Sequence, residues 1–350
     1  MSSETLDLAR DIISNYSGRT LKIMEVCGTH THQIFKYGIR KLLSSDISLI
    51  SGPGCPVCVT PTGFIDEAVM LALEKNATIA TFGDLVRVPG SEQSLALARS
   101  KGAKINIVYS PLDAVEYAKN NPDEEVVFLA VGFETTTPSA ALAVKNAKEK
   151  GISNFSILGA NKTMMNAYRM LKDSADAFLY PGHVCAITGL KEYDELKDEG
   201  IYGVVTGFTP KEILGALAMT VKKLEKGEAF EENCYKRVVT YEGSPSALKL
   251  IEETFDSCDS EWRGLGIIKD SGLCLKKKYS DFDARKKFNL PEITGHPNPH
   301  CRCGEVLQGK CTPKDCKVFG KGCTPEHPIG ACMVSGEGAC SAFYKYGGDF

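Results

Sequence analysis

Half of the chain's 14 cysteines fall between residues 301 and 340, in the pattern CxC-x7-C-x4-C-x6-C-x8-C-x7-C. Thiolates are soft ligands, so a cysteine-dense stretch points first to zinc or to iron–sulfur chemistry. Structural zinc sites use paired CxxC knuckles, and this stretch contains no CxxC. Its irregular spacing suits an iron–sulfur cluster, which takes four thiolates from loops and leaves the remaining thiols over. Cys301 and Cys303 stand so close in sequence that both reach separate corners of one cubane only awkwardly. One of them is expected to ligate while the other stands beside the cluster as a redox thiol. Zinc, and thiols that bind nothing, stay open as alternatives.

Upstream, Cys27 ends an apolar strand and opens the motif CGTHTH, just before a helix expected to begin near Thr29 to Thr31. Free N–H groups at a helix start favour a thiolate there, which is what a soft metal needs. His30 and His32 add a ligand or a proton donor, or simply cap the helix. Cys55 and Cys58 form a CPVC between a strand and the helix expected near Gly63. At such a junction one thiol is expected to have a lowered pKa and the pair to close reversibly into a disulfide. Half a zinc knuckle is the rival, and no second CxxC exists to complete it.

Two further stretches carry polar chemistry. GFETTTP offers Glu134 and three threonines at the head of an Ala-rich helix, a place for an anion, although Thr137 capping with Pro138 at N1 explains the same residues. It lacks the GxxxxGK[ST] of a phosphate-binding loop. In PGHVC, His183 is either an acid–base group or a polar turn residue.

The elements that must position these residues are short β-branched runs alternating with helical patterns up to about residue 225. Candidate strands cover 21–26, 47–50, 78–82, 105–109, 126–131, 155–158, 177–179 and 203–206, with helices expected at 32–43 and 139–150. Alternation of this kind implies a parallel sheet covered on both faces, so the fold class is α/β. Strand-CGTHTHQ, PGCPVC and TFGD are echoed in order by strand-GFETTTP, PGHVC and TGFTP. The echo predicts two similar parallel-sheet α/β domains, residues 1–120 and 121–235, followed by a Cys-rich domain over 236–350. A helix is expected at 246–255; the tail beyond it has too few large apolar residues to build a core, so an inorganic group is expected to organise it.

Composition excludes some classes of partner. The net charge is −3 and no concentrated basic face is legible, which argues against nucleic acid. The longest apolar run, VVFLAVGF, is far shorter than the roughly 20 residues that cross a bilayer. The acidic N-terminus does not read as an export signal, so a cytoplasmic protein is expected. In that reducing compartment the cysteines are expected to be ligands or redox groups rather than structural disulfides.

EVCGTHTHQIFKYGIRKLL, SGPGCPVCVTP, VGFETTTP, YPGHVCAITG, EWRGLGIIKDSGL and GKGCTPEHPIGACMVSGEGAC, in this order, resemble the HypD family of hydrogenase maturation factors. The resemblance runs from about residue 20 to the C-terminus. It implies a scaffold on which the Fe(CN)2(CO) group of [NiFe]-hydrogenases is assembled, working with a small HypC-type chaperone and a HypE-type cyanide donor. It also implies two α/β domains plus a third that carries a [4Fe-4S] cluster. Carried onto this sequence, Cys27 would hold the iron under assembly, and Cys55 with Cys58 would form a reducible pair beside it. The tail resembles the cluster region of ferredoxin:thioredoxin reductase, which implies Cys301, Cys316, Cys323 and Cys340 as cluster ligands and Cys303 with Cys332 as a second thiol pair. Cys311 departs from the family pattern and is left out of the ligand set.

The expected mechanism passes electrons from the cluster through Cys303 and Cys332 to Cys55 and Cys58, in support of chemistry at iron on Cys27. This is an assembly scaffold with thiol redox activity rather than a conventional turnover enzyme. It requires the two thiol pairs to touch. The alternatives are a free-standing iron–sulfur thiol–disulfide oxidoreductase acting on a protein disulfide, and a phosphate-ligand enzyme using GFETTTP.

Overall fold

The computed structural model describes residues 3–347. All eight strands expected from the apolar runs form: β1 (Leu21–Glu25), β2 (Ile47–Ser51), β3 (Thr78–Thr81), β4 (Ile105–Ile107), β5 (Val126–Gly132), β6 (Phe155–Asn161), β7 (Ala177–Pro181) and β8 (Gly203–Thr206). Three more follow, β9 (Glu231–Asn233), β10 (Phe255–Trp262) and β11 (Gly266–Leu275). These three are polar and largely solvent-facing, so they carry no apolar run that marks a strand in sequence.

Two parallel sheets result, in the orders β2-β1-β7-β8-β9 and β4-β3-β5-β6. Both sheets explain the near-continuous apolar runs, because parallel sheets bury both faces. In β5 the alternation is explicit: Val127, Leu129 and Val131 enter one core, while Val126, Phe128 and Ala130 enter another. Burying each large apolar side chain contributes roughly 1.5–3 kcal/mol, so a charge anywhere in VVFLAVG would break this strand.

The sheets do not follow the expected sequential halves. Strands β3 and β4 pair with β5 and β6 across residue 120, whereas β1 and β2 pair with β7 to β9. The chain therefore leaves the first sheet after β2 and returns to it after β6, and CPVC lies on the outward crossing.

The helix expected over 32–43 is broken. It runs Gly28–Lys36, turns at Gly38 with φ +63, and continues as a 3-10 turn over Ile39–Leu42. The helices Thr137–Glu149 and Pro245–Thr254 match expectation to within two residues. Among the described residues, no helix is long and apolar enough to cross a membrane.

The hairpin β10–β11 is antiparallel and carries a disulfide between Cys258 and Cys274, which corrects the expectation that no cysteine serves a structural cross-link. Its buried Trp262 stacks on Phe133 at 5.7 Å, which ties the hairpin to the end of β5, and donates its Nε1–H across the hairpin to Ser271 Oγ at 2.8 Å. Beyond it the tail forms short helices Cys303–Leu307, Ala331–Val334 and Ala339–Tyr346. The tail borrows a core: Cys332, Met333 and Cys340 pack into the same buried cluster as Met24, Cys55, Cys58 and Tyr180.

Candidate metal and thiol-redox site

Cys27 is the N-cap of the helix Gly28–Lys36, and its extended backbone follows directly from β1. The loop after β2 folds against it, with Gly28 N–H donating to Gly54 O at 3.0 Å. A Cβ at Gly54 would lie 2.1 Å from Cys27 N, so only glycine allows the CPVC loop to sit this close. The sequence expectation for Cys27 needs correction. The N–H groups of His30 and Thr29 face the sulfur and favour the thiolate, but burial outweighs them and Glu337 adds to it, pushing the thiol up to about 11.

Around Cys27 lie two histidines and an acid. His30 is fully buried, its Nε2 lies 2.9 Å from Gly207 O, and burial lowers it to about 4, so it stays neutral. Among the described residues its Nδ1 has no hydrogen-bond partner. Phe208 is sandwiched between His30 at 4.7 Å and the exposed His183 at 3.9 Å. Glu337, from the tail, accepts a 2.6 Å hydrogen bond from Thr29 Oγ1 and acts electrostatically on both Cys27 and His183. His32 faces the tail as well, with its Nδ1 3.1 Å from Gly336 O. Glu337 carries no spacing that marks it in sequence; it is found only because the tail folds onto the CGTHTH helix.

CPVC forms a one-turn helix, Pro56–Val59, capped by Cys55. Cys58 Sγ lies 2.7 Å from Cys55 Sγ, and both are buried. The lowered thiol pKa expected within this pair is not observed at Cys58, which burial, then Cys332 and Cys55, push up. The depressed thiol is Cys332 instead. Hydrogen bonds from Cys303, Cys340 and Cys58 converge on it and favour its anion.

A continuous sulfur path follows: Cys55 touches Cys58, Cys58 touches Cys332, and Cys332 touches Cys303 and Cys340. Cys303 also contacts Cys301, and both act on Cys323, whose Sγ faces Ile329 N–H at 3.3 Å. Cys316 lies at the edge of this group, its Sγ 3.6 Å from His300 O, and Cys311 faces Arg302 and Cys316 outside it. Gly338 lets the helix Ala339–Tyr346 start against Cys332, since a Cβ there would lie 2.2 Å from Cys332 O.

An all-thiol donor set suits an iron–sulfur cluster. The two thiols of the CxC pack directly on Gly330, where a Cβ would lie 2.5 Å from Cys301 Sγ and 2.6 Å from Cys303 Sγ, so only glycine lets them sit there. Among the described residues, no trio of Cys, His, Asp or Glu side chains already converges on a single ion position.

Three of the polar side chains of GFETTTP are engaged with the protein's own backbone. Thr136 and Thr137 hydroxyls both donate to Phe133 O, and buried Glu134 accepts Met164 N–H at 2.8 Å, pinning the return crossing to the end of β5.

The fold and site define a two-sheet α/β protein whose cysteine-rich tail delivers a buried chain of thiols to the crossing between its sheets. The HypD family model, described as "Hydrogenase formation hypA family", matches residues 4–347. The hydrogenase maturation factor HypD of Rhodobacter capsulatus is 44% identical, covering 97% of this chain and 92% of that protein. HypD of Escherichia coli is 43% identical over 95% and 91% respectively. A putative hydrogenase expression/formation protein of Methanocaldococcus jannaschii is 45% identical over 93% and 92%. The chain belongs to the HypD family of hydrogenase maturation factors.

Proposed function

We propose that this chain is the scaffold on which the Fe(CN)2(CO) group of [NiFe]-hydrogenases is assembled, with the iron cargo held through Cys27. The observation that carries the reading is the contact of Cys58 with Cys332, which joins the pair beside Cys27 to the thiols of the tail. Binding a soft metal displaces the proton that burial otherwise keeps on Cys27. His183, exposed and close to Glu337, is the group able to move a proton at this cleft, while buried neutral His30 orients the helix that carries Cys27. Glu134 acts at a distance from the iron, by holding Met164 and the return crossing.

A [4Fe-4S] cluster would be held by Cys301, Cys323 and Cys340, with Cys316 as the fourth ligand, and when bound it supplies single electrons. The protein's own thiols then exchange in two steps. The Cys332 thiolate attacks Cys58 of a Cys55–Cys58 disulfide, forming a Cys58–Cys332 bond and releasing Cys55 as thiolate. Cys303 next attacks Cys332, forming the Cys303–Cys332 disulfide and releasing Cys58. Two electrons thus reach Cys55 and Cys58, and two are drawn from Cys303 and Cys332. A HypC-type chaperone and a HypE-type cyanide donor are the partners this reading calls for.

Infrared spectra of the anaerobically purified complex with the small chaperone test it. Cyanide and CO bands are expected in wild type and are expected to vanish in Cys27→Ala. Full-intensity bands in that variant sink the scaffold. Reduction of a protein disulfide that survives Cys27→Ala would favour the oxidoreductase instead.

A further inference from the structure

Lys162, at the end of β6, is only 2% exposed, and its Nζ donates to Glu261 O at 2.6 Å and lies 2.6 Å from Ser260 Oγ. A buried ammonium is costly, and burial pulls this amine down to about 7; Glu261 opposes the shift and Arg285 adds to it. The hairpin brings Ser260 to the amine. Its register shifts between Cys258 and Ser260, a bulge of the kind that re-aims a side chain, and Gly272 of β11 bridges to Lys162. A Cβ on Gly272 would lie 2.7 Å from Ser260 Cβ, so glycine there makes room for the serine. Ser260 and Lys162 both line a cavity of about 260 Å³ between β6, the hairpin and the start of the helix Thr62–Leu73. Phe64, Phe255 and Leu273 give it apolar walls. Buried Asn161 lines it too: its Nδ2 donates to Thr137 Oγ1 at 3.2 Å, and its Oδ1 has no hydrogen-bond partner among the described residues. A buried acceptor left open on a cavity wall calls for a donor from a bound molecule or a water. The charged groups that share the cavity with Lys162 are Glu67 of the helix, Asp259 and Glu261 of β10, and Asp283 and Arg285 beyond β11, with Glu67 and Arg285 paired at 2.7 Å.

We propose that Ser260 and Lys162 form a nucleophile–base pair that hydrolyses a small carboxylic ester held in this cavity. A hydroxyl within hydrogen-bond reach of a neutral amine, itself oriented by a third group, is an arrangement for acyl transfer, and Glu261 O is the orienting group here. Lys162 Nζ takes the Ser260 proton as Oγ bonds to the carbonyl carbon, and the carbonyl oxygen takes the electron pair. Free N–H groups at the start of the helix Thr62–Leu73, which no side chain caps, are the donors available to that oxygen. When the pair returns, the alcohol leaves with the proton held on Lys162. Water then attacks the acyl-serine, gives its proton to Lys162, and the acid departs as Ser260 regains that proton. One ester and one water become one acid and one alcohol, with no change of oxidation state. The cavity's size limits the acyl group to a short one.

The test treats full-length protein with an alkyl fluorophosphonate, a serine-selective ester mimic, and locates and times the adduct by peptide mass. Labelling of Ser260 is expected, at a rate that rises through about pH 7 and levels off above it as Lys162 becomes the neutral base. Lys162→Met keeps the length and removes the amine, and its Ser260 labelling is expected to fall at least about 100-fold. Hydrolysis of p-nitrophenyl acetate reads turnover: Ser260→Ala is expected to lose the part of the wild-type rate that the fluorophosphonate blocks. A wild type with no adduct on Ser260 at any pH overturns the proposal, as does labelling that Lys162→Met leaves unchanged. Ester hydrolysis that the probe leaves untouched overturns it as well. Should Lys162→Met fail to fold, the wild-type profile decides alone: a Ser260 labelling rate still climbing beyond about pH 9, as for an unassisted hydroxyl, overturns the pair.

Discussion

Cys58 and Cys332, far apart in sequence, are hydrogen-bond partners in the interior, each with no solvent exposure. Cys58 also lies 2.7 Å from Cys55, so one sulfur has two exchange partners. Removing the nearer partner should leave the other. In Cys55→Ser, mild oxidation with diamide is expected to yield a Cys58–Cys332 disulfide, detected as a cross-linked peptide. Oxidised protein in which Cys58 pairs with neither Cys332 nor any tail cysteine would count against the relay.

Gly54 sits where a methyl group would overlap the backbone at Cys27. Neither neighbour is a side chain that can swing away, so Gly54→Ala is expected to destabilise the protein by about 3 kcal/mol or more. Gly336→Ala is the control, because a Cβ there meets nothing within 4 Å; it should fall within about 0.5 kcal/mol of wild type. Urea unfolding of both variants checks the contrast.

Glu337 acts on Cys27 by like-charge repulsion, third after burial and the opposing His30 N–H. Glu337→Gln removes the charge and keeps an acceptor for Thr29. The thiolate becomes easier to form, so alkylation of Cys27 at mildly alkaline pH is expected to accelerate by roughly two- to tenfold. An unchanged or slower rate would show that Glu337 does not face the sulfur in solution.

Burial raises Glu134 from 4.5 to about 7. The folded protein holds a proton there that the unfolded chain releases, so the stabilisation is complete below about pH 4.5 and is lost as pH rises through about 7. Glu134→Gln keeps the acceptor for Met164 N–H and titrates nowhere. Its stability relative to wild type is therefore expected to rise by up to about 3 kcal/mol between about pH 5 and pH 8. His30 works in the opposite sense: lowered to about 4, it costs stability as pH falls below 6.5. Equilibrium unfolding across this range in Glu134→Gln, His30→Gln and wild type separates the two slopes.

The Cys258–Cys274 disulfide closes a loop with a sequence separation of 16. Cross-linking a loop of this size contributes about 3 kcal/mol. Cys258→Ser is expected to lose that much in unfolding measurements made without reductant, and to match wild type once reductant is added.

The strands were legible because parallel sheets bury both faces, so runs such as VVFLAVG announce themselves whatever they pack against. The helix starts at CGTHTH and at Thr62, just after Pro61, were legible from local chemistry as well, whereas the single turn Pro56–Val59 was not. Polar β9 and the β10–β11 hairpin were not, since their pairing depends on partners rather than on their own hydrophobicity. The side chains of GFETTTP read as ligand donors, yet the tertiary fold engages Glu134, Thr136 and Thr137 with the backbone and leaves only Thr135 exposed among them.

What the sequence determined by itself was the inventory: an α/β chain, the family motifs, and which thiols exist at which spacing. What only the tertiary structure decided was proximity and charge. Strands from both halves share each sheet, because a parallel strand accepts any neighbour that a covered crossover can deliver. Burial pushes the Cys27 and Cys58 thiols up despite their helix starts, whereas Cys332, the second residue of the short helix Ala331–Val334, is shifted toward its thiolate because hydrogen bonds from three other thiols converge on it. Desolvation and long-range contact have no signature in local spacing, and they set the chemistry of this site.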